Sequence, residues 1–218
     1  MDRQCYIVGA GEFSGMWLPC QRDYIIAADA GYLRLLEMNV EPDLVVGDFD
    51  SLGFVPIHPN VIQSPEEKDD TDMMIAVREG LKRGHRRFFI DGGLGGRLDQ
   101  TLANCQILSF IAENGAQGFL LGHEMCATVI KHGSMRFRAK IANGDTVEPE
   151  RISVFSVGDR ATGVTFSGLK YPLENAVLLN YFPLGVSNEF TNLTAEVSVR
   201  EGTLLIIWSG GLERIEAI

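Results

Sequence analysis

The hydrophobic pattern of the chain changes near His123. Before this point, short apolar runs alternate with segments of helical spacing, and this alternation predicts a parallel sheet flanked by helices. After it, short runs rich in Val, Ile, Phe and Thr are separated by turn sequences such as Asn143-Gly144-Asp145 and Glu201-Gly202, which is typical of an all-β fold. We therefore predict an α/β domain with a parallel sheet over residues 1–130 and a smaller all-β domain over residues 131–218.

Five segments of the first part have the composition of strands, at 5–8, 24–28, 44–46, 87–90 and 118–121. Two further segments have apolar residues at helical spacing. The first, with Met74, Val77 and Leu81, predicts a helix before the fourth strand, and the second predicts a helix over 98–112. In the second part, strands are predicted at 135–139, 152–157, 161–166, 195–199 and 203–208.

Acidic residues are concentrated in one stretch of the chain. The formal net charge is −10, and nine carboxylates fall between residues 41 and 72 against a single basic residue, Lys68. The rest of the chain, with 20 acidic and 18 basic residues, is close to neutral. Nucleic acids require a basic face, so we expect no nucleic-acid partner. The local excess of carboxylates indicates instead that something cationic is bound there.

No apolar run approaches the roughly 18 to 20 residues that cross a bilayer. The chain starts with Met1-Asp2-Arg3-Gln4 and continues into a strand-like segment, which differs from the charged and then apolar pattern of a signal peptide. We therefore expect no membrane partner and a cytoplasmic location.

Asp48 and Asp50 follow the predicted strand at 44–46. In an extended chain, residues i and i+2 face the same side, so both carboxylates are expected beyond the carboxyl end of the strand, where open α/β sheets bind ligands. Oxygen ligands of this kind suit Mg²⁺, together with substrate phosphates. An Asp-rich turn is the alternative, because Asp, Gly and Ser commonly form turns.

A second acidic segment, Lys68-Asp69-Asp70-Thr71-Asp72, begins the first predicted helix. Asp and Thr commonly cap helix N-termini, which accounts for one or two of these residues. Capping does not account for three aspartates beside another acidic cluster, because unneutralised carboxylates repel one another. Asp69 and Asp72 are spaced to share a helix face, and Lys68 can reach a phosphate as a point charge.

A glycine-rich loop, Gly92-Gly93-Leu94-Gly95-Gly96, lies between a predicted strand and the second predicted helix. Glycines permit positive φ and let backbone amides approach an anion closely, and the helix N-terminus adds its dipole. A phosphate cradle is one interpretation; a tight connection is the other, because no Walker-type G-K-[ST] follows. Arg97 and Asp99 favour the cradle, since they place a guanidinium and a carboxylate at the same edge.

In their combination and order, these motifs resemble those of the thiamine pyrophosphokinase family, and the resemblance covers most of the chain. In the first part, the similar motifs are Ala28-Asp29-Ala30-Gly31, Pro42-Asp43, Gly47-Asp48-Phe49-Asp50-Ser51, Lys68-Asp69-x-Thr71-Asp72, Gly95-Gly96-Arg97-Leu98-Asp99-Gln100 and Leu102-Ala103-Asn104. In the second part, they are Gly168-Leu169-Lys170-Tyr171-Pro172-Leu173 and Gly185-Val186-Ser187-Asn188-Glu189.

The resemblance implies an enzyme that transfers the diphosphoryl group of Mg-ATP to the hydroxyl of thiamine, which gives thiamine diphosphate and AMP. It implies an α/β catalytic domain that binds ATP, followed by a β-sandwich domain that binds thiamine. It also implies a homodimer with thiamine bound where the subunits meet.

The resemblance further implies roles for individual residues. The metal ligands would be Asp48, Asp50, Asp69 and Asp72. The ATP contacts would be Asp29, Lys68, Thr71, Gly95, Gly96 and Arg97. The catalytic residues would be Asp72, Arg97 and Asp99, with Arg97 stabilising charge on the transferred group and Asp99 orienting or deprotonating the alcohol. The thiamine contacts would be Gln100, Ser187, Asn188 and Trp208. For Trp208, packing in the core of a strand is an equal alternative.

Two features depart from the family pattern. The first loop, Gly9-Ala10-Gly11-Glu12-Phe13, is looser than the usual glycine pair, and Gln100 stands where many bacterial members have histidine.

Three other functions stay open at this point: a pyrophosphokinase that acts on a pterin, a sensor that binds thiamine without turnover, and a structural cation-binding protein. Ser187-Asn188 favours thiamine over a pterin, and the complete metal and phosphate set favours an enzyme over a sensor.

Overall fold

A computed structural model of the protein describes residues 3–16, 20, 22–65, 69–141, 147–148 and 150–216. The chain divides into two compact units, Met1–His123 and Glu124–Ile218. This division falls earlier than the boundary expected after residue 130. The reason is that Met125–Lys131 is a strand that pairs antiparallel with Thr203–Ser209, and both strands belong to the second unit.

The first unit consists of strands and helices in alternation. In chain order they are β1 (Cys5–Val8), β2 (Tyr24–Ala28), α1 (Gly31–Glu37), β3 (Leu44–Gly47), β4 (Val61–Gln63), α2 (Asp72–Lys82), β5 (Arg87–Asp91), α3 (Leu98–Glu113) and β6 (Gln117–Leu121). All strand pairs that the described residues form in this unit are parallel, in the order β6-β5-β1-β2-β3-β4. Strands β1 and β3 are buried along their whole length, which explains their uninterrupted apolar sequences.

The two predicted helices are present as α2 and α3, whereas α1 and β4 were not predicted. Helix α2 buries Met73, Ala76, Val77 and Gly80, the spacing of a helix with one face against a sheet. Helix α1 has seven residues and β4 has three, too few for a clear period. In the described part of the chain, no helix is both long and apolar enough to cross a membrane.

The described residues of the second unit form β-strands and one short 3₁₀ helix, Leu212–Arg214. The strands are β7 (Met125–Lys131), β8 (Ser134–Arg138), β9 (Arg151–Ser156), β10 (Arg160–Ser167), β11 (Leu173–Leu179), β12 (Gly185–Glu189), β13 (Thr194–Ser198) and β14 (Thr203–Ser209). Within this unit, they pair antiparallel in the orders β12-β9-β14-β7 and β11-β10-β13-β8. Side chains of the two sets meet where Phe137 of β8 contacts Trp208 of β14 edge to face, with 5.4 Å between ring centroids.

Candidate active site

The carboxyl ends of β1, β2, β3 and β5 lie along one edge of the parallel sheet. Each strand is followed by a glycine or an aspartate, namely Gly9, Asp29, Asp48 and Gly92. These four residues line a cleft of about 580 Å³. The cleft therefore lies where open α/β sheets bind their ligands.

Three carboxylates converge in this cleft. Asp29, Asp48 and Asp50 each place one oxygen within 4.8 Å of the others. Asp29 is only 9% exposed, and its Oδ1 has no hydrogen-bond partner among the described residues. A buried carboxylate oxygen without a partner is costly unless a cation satisfies it. The cluster therefore fits a hard cation such as Mg²⁺, which prefers carboxylate oxygens.

The backbone that aims these carboxylates is not extended, contrary to the expectation for Asp48 and Asp50. Strand β3 ends at Gly47, and Phe49 adopts a left-handed conformation with φ 65° and a buried ring. The next residues form a turn in which the Asp50 amide donates to Asp48 Oδ1 at 3.3 Å. Asp29 is also left-handed, with φ 50°. The Asp-rich turn and the carboxylate cluster are thus one structure, because the turn brings the two carboxylates to Asp29.

Thr71 and Asp72 join the same cleft at the start of α2. Thr71 is the N-cap residue, and its Oγ1 accepts a hydrogen bond from the Met74 amide at 3.2 Å. Asp72 accepts a hydrogen bond from Ser64 Oγ at 3.4 Å. The capping interpretation therefore holds for Thr71, while the Asp72 carboxylate is in position to face a ligand of the cleft.

The residues just before Thr71 are placed differently. Lys68 lies outside the described residues. Asp69 is exposed and is not among the described residues that line the cleft. Asp70 forms an ion pair with Arg78, with 3.0 Å between Arg78 Nε and Asp70 Oδ2. Of the three aspartates in this segment, the structure brings Asp72 to the cleft.

The glycine-rich loop forms another wall of the cleft. Gly92, Gly95 and Gly96 have φ values of 70°, 84° and 61°, a region that other residues rarely adopt. The buried side chain of Asn104 donates to the Gly93 carbonyl at 2.8 Å and ties the loop to α3. The loop thus combines a tight connection with a surface on which backbone groups can approach a phosphate.

Arg97 and Gln100 line the cleft at the start of α3. Arg97 holds Asp99 with two N–H groups, Nη2 at 2.6 Å from Oδ2 and Nε at 3.2 Å from Oδ1. The hydrogen bonds from Arg97 keep the pKa of Asp99 below its usual range, and the same pair raises the pKa of Arg97. Both side chains are exposed, so they are accessible to substrates.

The predicted thiamine contacts in the second unit differ in exposure. Ser187 is exposed on β12 with φ 56°, and its amide donates to Ser153 Oγ at 3.1 Å. Asn188 is 3% exposed, and its side chain is hydrogen-bonded to the backbone of Tyr171. Ser187 can therefore meet a ligand at the surface, whereas Asn188 supports the loop around Tyr171.

Trp208 lies inside the second unit. It is 1% exposed, and its Nε1 donates to the Gly211 carbonyl at 3.1 Å. Together with its edge contact to Phe137, this places the indole in the core, so the structure supports the packing alternative for Trp208.

The sequence motifs assign no separate role to Asn104 and do not group Asp29 with the other carboxylates. The signal for Asp29 was available, because parallel strands end at one edge and Asp29 follows the strand that neighbours β3. For Asn104, the signal was a polar residue at helical spacing from the buried Ile107, Leu108 and Ile111. A buried polar side chain in such a position needs a hydrogen-bond partner.

Most of the predicted residues of the first unit meet in one place. The ones that line the cleft are Asp29, Asp48, Asp50, Thr71, Asp72, Gly95, Gly96, Arg97 and Gln100. A carboxylate cluster that suits a cation, beside a loop and an arginine that suit phosphates, is typical of enzymes that transfer phosphoryl-type groups. The fold and the site thus define a phosphotransferase with an α/β catalytic unit followed by a β unit.

Comparison with known proteins identifies the family. Residues 18–119 match the family model described as thiamin pyrophosphokinase, catalytic domain, and residues 141–204 match that of the vitamin B1 binding domain. The chain is 27% identical over 191 residues to a thiamine pyrophosphokinase of Bacillus subtilis strain 168, which covers 84% of this chain and 86% of that protein.

Solved structures show the same fold. A thiamin pyrophosphokinase from Geobacillus thermodenitrificans aligns with a TM-score of 0.75 and 26% identity, over 96% of this chain and 99% of that chain. A thiamine pyrophosphokinase from Bacillus subtilis aligns with a TM-score of 0.79 and 24% identity, over 96% of this chain and 100% of that chain.

The chain belongs to the thiamine pyrophosphokinase family. The reaction of this family is the transfer of a diphosphoryl group from ATP to thiamine, and the chain is an enzyme of thiamine diphosphate synthesis.

Proposed function

We propose that the cleft of the first unit binds the phosphates of ATP, with Mg²⁺ held by Asp29, Asp48 and Asp50. The observation that carries this proposal is the buried Asp29 carboxylate, whose Oδ1 has no hydrogen-bond partner among the described residues, together with the two further carboxylates beside Asp29. Three carboxylates at such short range repel one another unless a cation is present. When bound, Mg²⁺ offsets negative charge on the phosphates and helps to align them.

Asp72 is proposed to face the same metal and phosphate group, since it lines the same cleft. The resemblance also implies Asp69 as a metal ligand. We do not include it in the proposed metal site, because it is exposed and is not among the described residues that line the cleft. Lys68 and Thr71 remain proposed ATP contacts, Lys68 by the resemblance and Thr71 also by its place in the cleft.

Gly95, Gly96 and Arg97 are proposed to bind the phosphates from the side of α3. The glycines leave backbone groups open to close approach, and the helix N-terminus favours an anion. The Arg97 guanidinium offers a fixed fork of donors for the transferred group and stabilises the charge that develops there.

Asp99 is proposed to orient the attacking hydroxyl of thiamine. Arg97 lowers the pKa of Asp99, which makes this carboxylate a weak base. Diphosphoryl transfer depends more on positioning than on a strong base. Asp99 therefore accepts a hydrogen bond from the alcohol and directs its oxygen at the phosphorus.

Thiamine is proposed to contact Gln100 and Ser187, with Asn188 supporting the loop that carries Tyr171. Gln100 lines the cleft and Ser187 is exposed, so both offer polar groups to a ligand. Trp208 is not included, because its indole is buried in the core of the second unit.

We also propose a homodimer, with thiamine bound where two subunits meet and a β-sandwich as the thiamine-binding part. The support is a set of large apolar side chains that are exposed on or between β11 and β12, namely Val177, Tyr181, Phe182, Leu184 and Val186. Exposed apolar side chains, where they lie together on a surface, mark interaction sites. A cytoplasmic location completes the proposal, because the reaction consumes ATP.

The test is product analysis after incubation of the purified protein with ATP and Mg²⁺, with and without thiamine. We expect equimolar AMP and thiamine diphosphate that depend on thiamine. ADP with thiamine monophosphate would contradict the assigned phosphorus, and product formation with a pterin in place of thiamine would contradict the assigned substrate. Sedimentation analysis of the same preparation tests the dimer, and a monomer at assay concentration would contradict it.

A further inference from the structure

Asp91 is a buried carboxylate next to the cleft that the proposed reaction does not use. It ends β5, and its exposed fraction is 0%. Its Oδ1 accepts the amides of Ser14 at 2.7 Å and Gly92 at 2.8 Å. Its Oδ2 accepts the hydroxyls of Ser14 at 2.7 Å and Tyr6 at 3.3 Å. Four donors converge on this one side chain.

Two of the three residues that donate to Asp91, Ser14 and Gly92, belong to segments that shape the cleft. Gly92 lines the cleft, and so does the start of the loop that contains Ser14, at Gly9 and Gly11. Two backbone hydrogen bonds also join these segments. One runs from the Gly9 amide to the Asp91 carbonyl at 2.8 Å, and the other from the Gly11 amide to the Gly92 carbonyl at 3.0 Å. The Asp91 carboxylate extends this contact from Gly11 to Ser14.

The fit between the two segments leaves no spare room. A Cβ atom on Gly11 would lie 2.5 Å from the Gly92 carbonyl oxygen, and one on Gly92 would lie 2.5 Å from the Gly9 carbonyl oxygen. A displacement of the loop at Gly9 or Gly11 therefore moves residues that line the cleft. In catalysis, misplacement by about 1 Å can cost roughly a hundredfold in rate.

We propose that Asp91 is a positioning residue that clamps the 9–14 loop to the glycine-rich loop and so sets the nucleotide-binding wall of the cleft. The proposal rests on the proposed binding of ATP in this cleft. Asp91 acts through Ser14 and Gly92 and does not itself touch the substrate.

A carboxylate suits this position because it is the side chain that accepts at both oxygens. Burial raises the pKa of Asp91, and the hydrogen bonds from Ser14 and Gly92 act in the opposite direction. An asparagine keeps one acceptor for the two backbone amides, and its NH₂ group can donate to the two hydroxyl oxygens after they rotate. Asp91→Asn is therefore a conservative variant, whereas Asp91→Ala removes the clamp.

The experiment compares steady-state kinetics of the wild type, Asp91→Ala, Asp91→Asn and Ser14→Ala. We expect Asp91→Ala to raise the KM for ATP by about tenfold or more while the KM for thiamine stays within about twofold, because the lost contact orders only the nucleotide side. Ser14→Ala should show a smaller rise in the same direction, and Asp91→Asn should recover most of the wild-type value.

Asp23→Asn is the matched control. Asp23 is also buried, at 5% exposed, and its Oδ2 accepts the Cys20 amide at 2.8 Å. It precedes β2 at the amino end of the strand, whereas the cleft lies at the carboxyl ends. We expect this variant to change stability without changing the KM for ATP.

Three results would overturn the proposal: an unchanged KM for ATP in Asp91→Ala, an equal rise of both KM values, or the same rise in Asp23→Asn. If Asp91→Ala does not fold, the proposal is tested with Ser14→Ala instead. The measurement is hydrogen exchange of the backbone amides of residues 9–16, compared with the wild type. Faster exchange there supports the clamp, and unchanged exchange contradicts it. A wild type that makes no thiamine diphosphate would contradict the proposed function instead, while exchange and the stabilisation by Mg-ATP still test the clamp.

Discussion

The side chain of Asn188 spans the backbone of Tyr171: its Oδ1 accepts the Tyr171 amide at 2.9 Å, and its Nδ2 donates to the Tyr171 carbonyl at 2.8 Å. The same Oδ1 also accepts the amide of Glu189 at 3.0 Å. One buried amide therefore fixes the backbone just before β11 to β12. The two motifs of the second unit that resemble the family are thus joined by a contact that composition alone does not show.

Asn188→Ala is expected to destabilise the protein by about 1–3 kcal/mol, because it leaves backbone groups near Tyr171 without partners. Urea denaturation with and without thiamine measures the loss. Asn180→Ala, at an exposed position of the same unit, is the control and should change stability by less than about 0.5 kcal/mol. Equal stability of the Asn188 variant and the wild type would contradict the structural role.

Ser187→Ala is expected to raise the KM for thiamine by about three- to tenfold and leave the KM for ATP unchanged, since one hydrogen bond to the ligand is lost. Ser187 has a positive φ, so alanine at this position can also change the backbone. Ser187→Gly controls for it, because glycine accepts this conformation while also removing the hydroxyl. If only the alanine variant is impaired, the effect comes from the backbone and Ser187 does not contact thiamine.

Asp48→Asn is expected to reduce kcat/KM by at least about a hundredfold with the fold retained, because the cation site loses a charged ligand. The variant should also need a higher Mg²⁺ concentration for stabilisation by ATP, measured as a shift in Tm. Asp70→Asn is the control, since Asp70 pairs with Arg78 outside the cleft. Similar Mg²⁺ dependence in both variants would remove Asp48 from the metal site.

Arg97→Gln is expected to raise the pKa of Asp99 towards its ordinary value of about 3.9. In the wild type, Arg97 lowers the pKa of Asp99. Any stabilisation from the ion pair is therefore present at pH values above the ordinary pKa of Asp99. It is lost as the pH falls through the lowered pKa. Carboxyl chemical shifts followed by NMR report the titration. The variant should also lose most of its kcat, and a normal kcat would contradict the assigned role in charge stabilisation.

Trp208→Phe is expected to lower stability by about 1–2 kcal/mol, because the hydrogen bond from Nε1 to the Gly211 carbonyl is lost while most of the apolar volume is kept. The KM for thiamine should stay at the wild-type value. A selective rise in that KM without loss of stability would restore the alternative in which the indole contacts thiamine.

In helix α3, the apolar periodicity predicts the helix but not which of its faces is buried. The apolar spacing from Leu98 to Ala112 correctly predicted a helix, but Leu98 and Leu102 are 71% and 59% exposed. The buried face runs instead through Asn104, Ile107, Leu108 and Ile111. A helix that is apolar on several sides has a weak amphipathic signal, so its orientation is decided by the sheet against which it packs.

Burial accounts for some of the predicted strands and for some of those that were missed, although β7 was missed despite its buried interior. Strands β1 and β5 have apolar sequences because they are covered on both faces. Strand β11 has a largely exposed pattern with a left-handed residue at Asn175, and strand β4 is a half-exposed edge. These strands are defined by pairing with a neighbour, which no local pattern encodes.

The two-part organisation, the local acidic excess and the family follow from residue type and order along the chain. Which of these residues act together follows from the fold. Strand order placed Asp29 beside Asp48 and Asp50, the capped start of α2 separated Asp72 from Asp69, and packing of the second unit enclosed Trp208. These are contacts between residues far apart in sequence, and their energies arise only when the strands are paired and the core is closed.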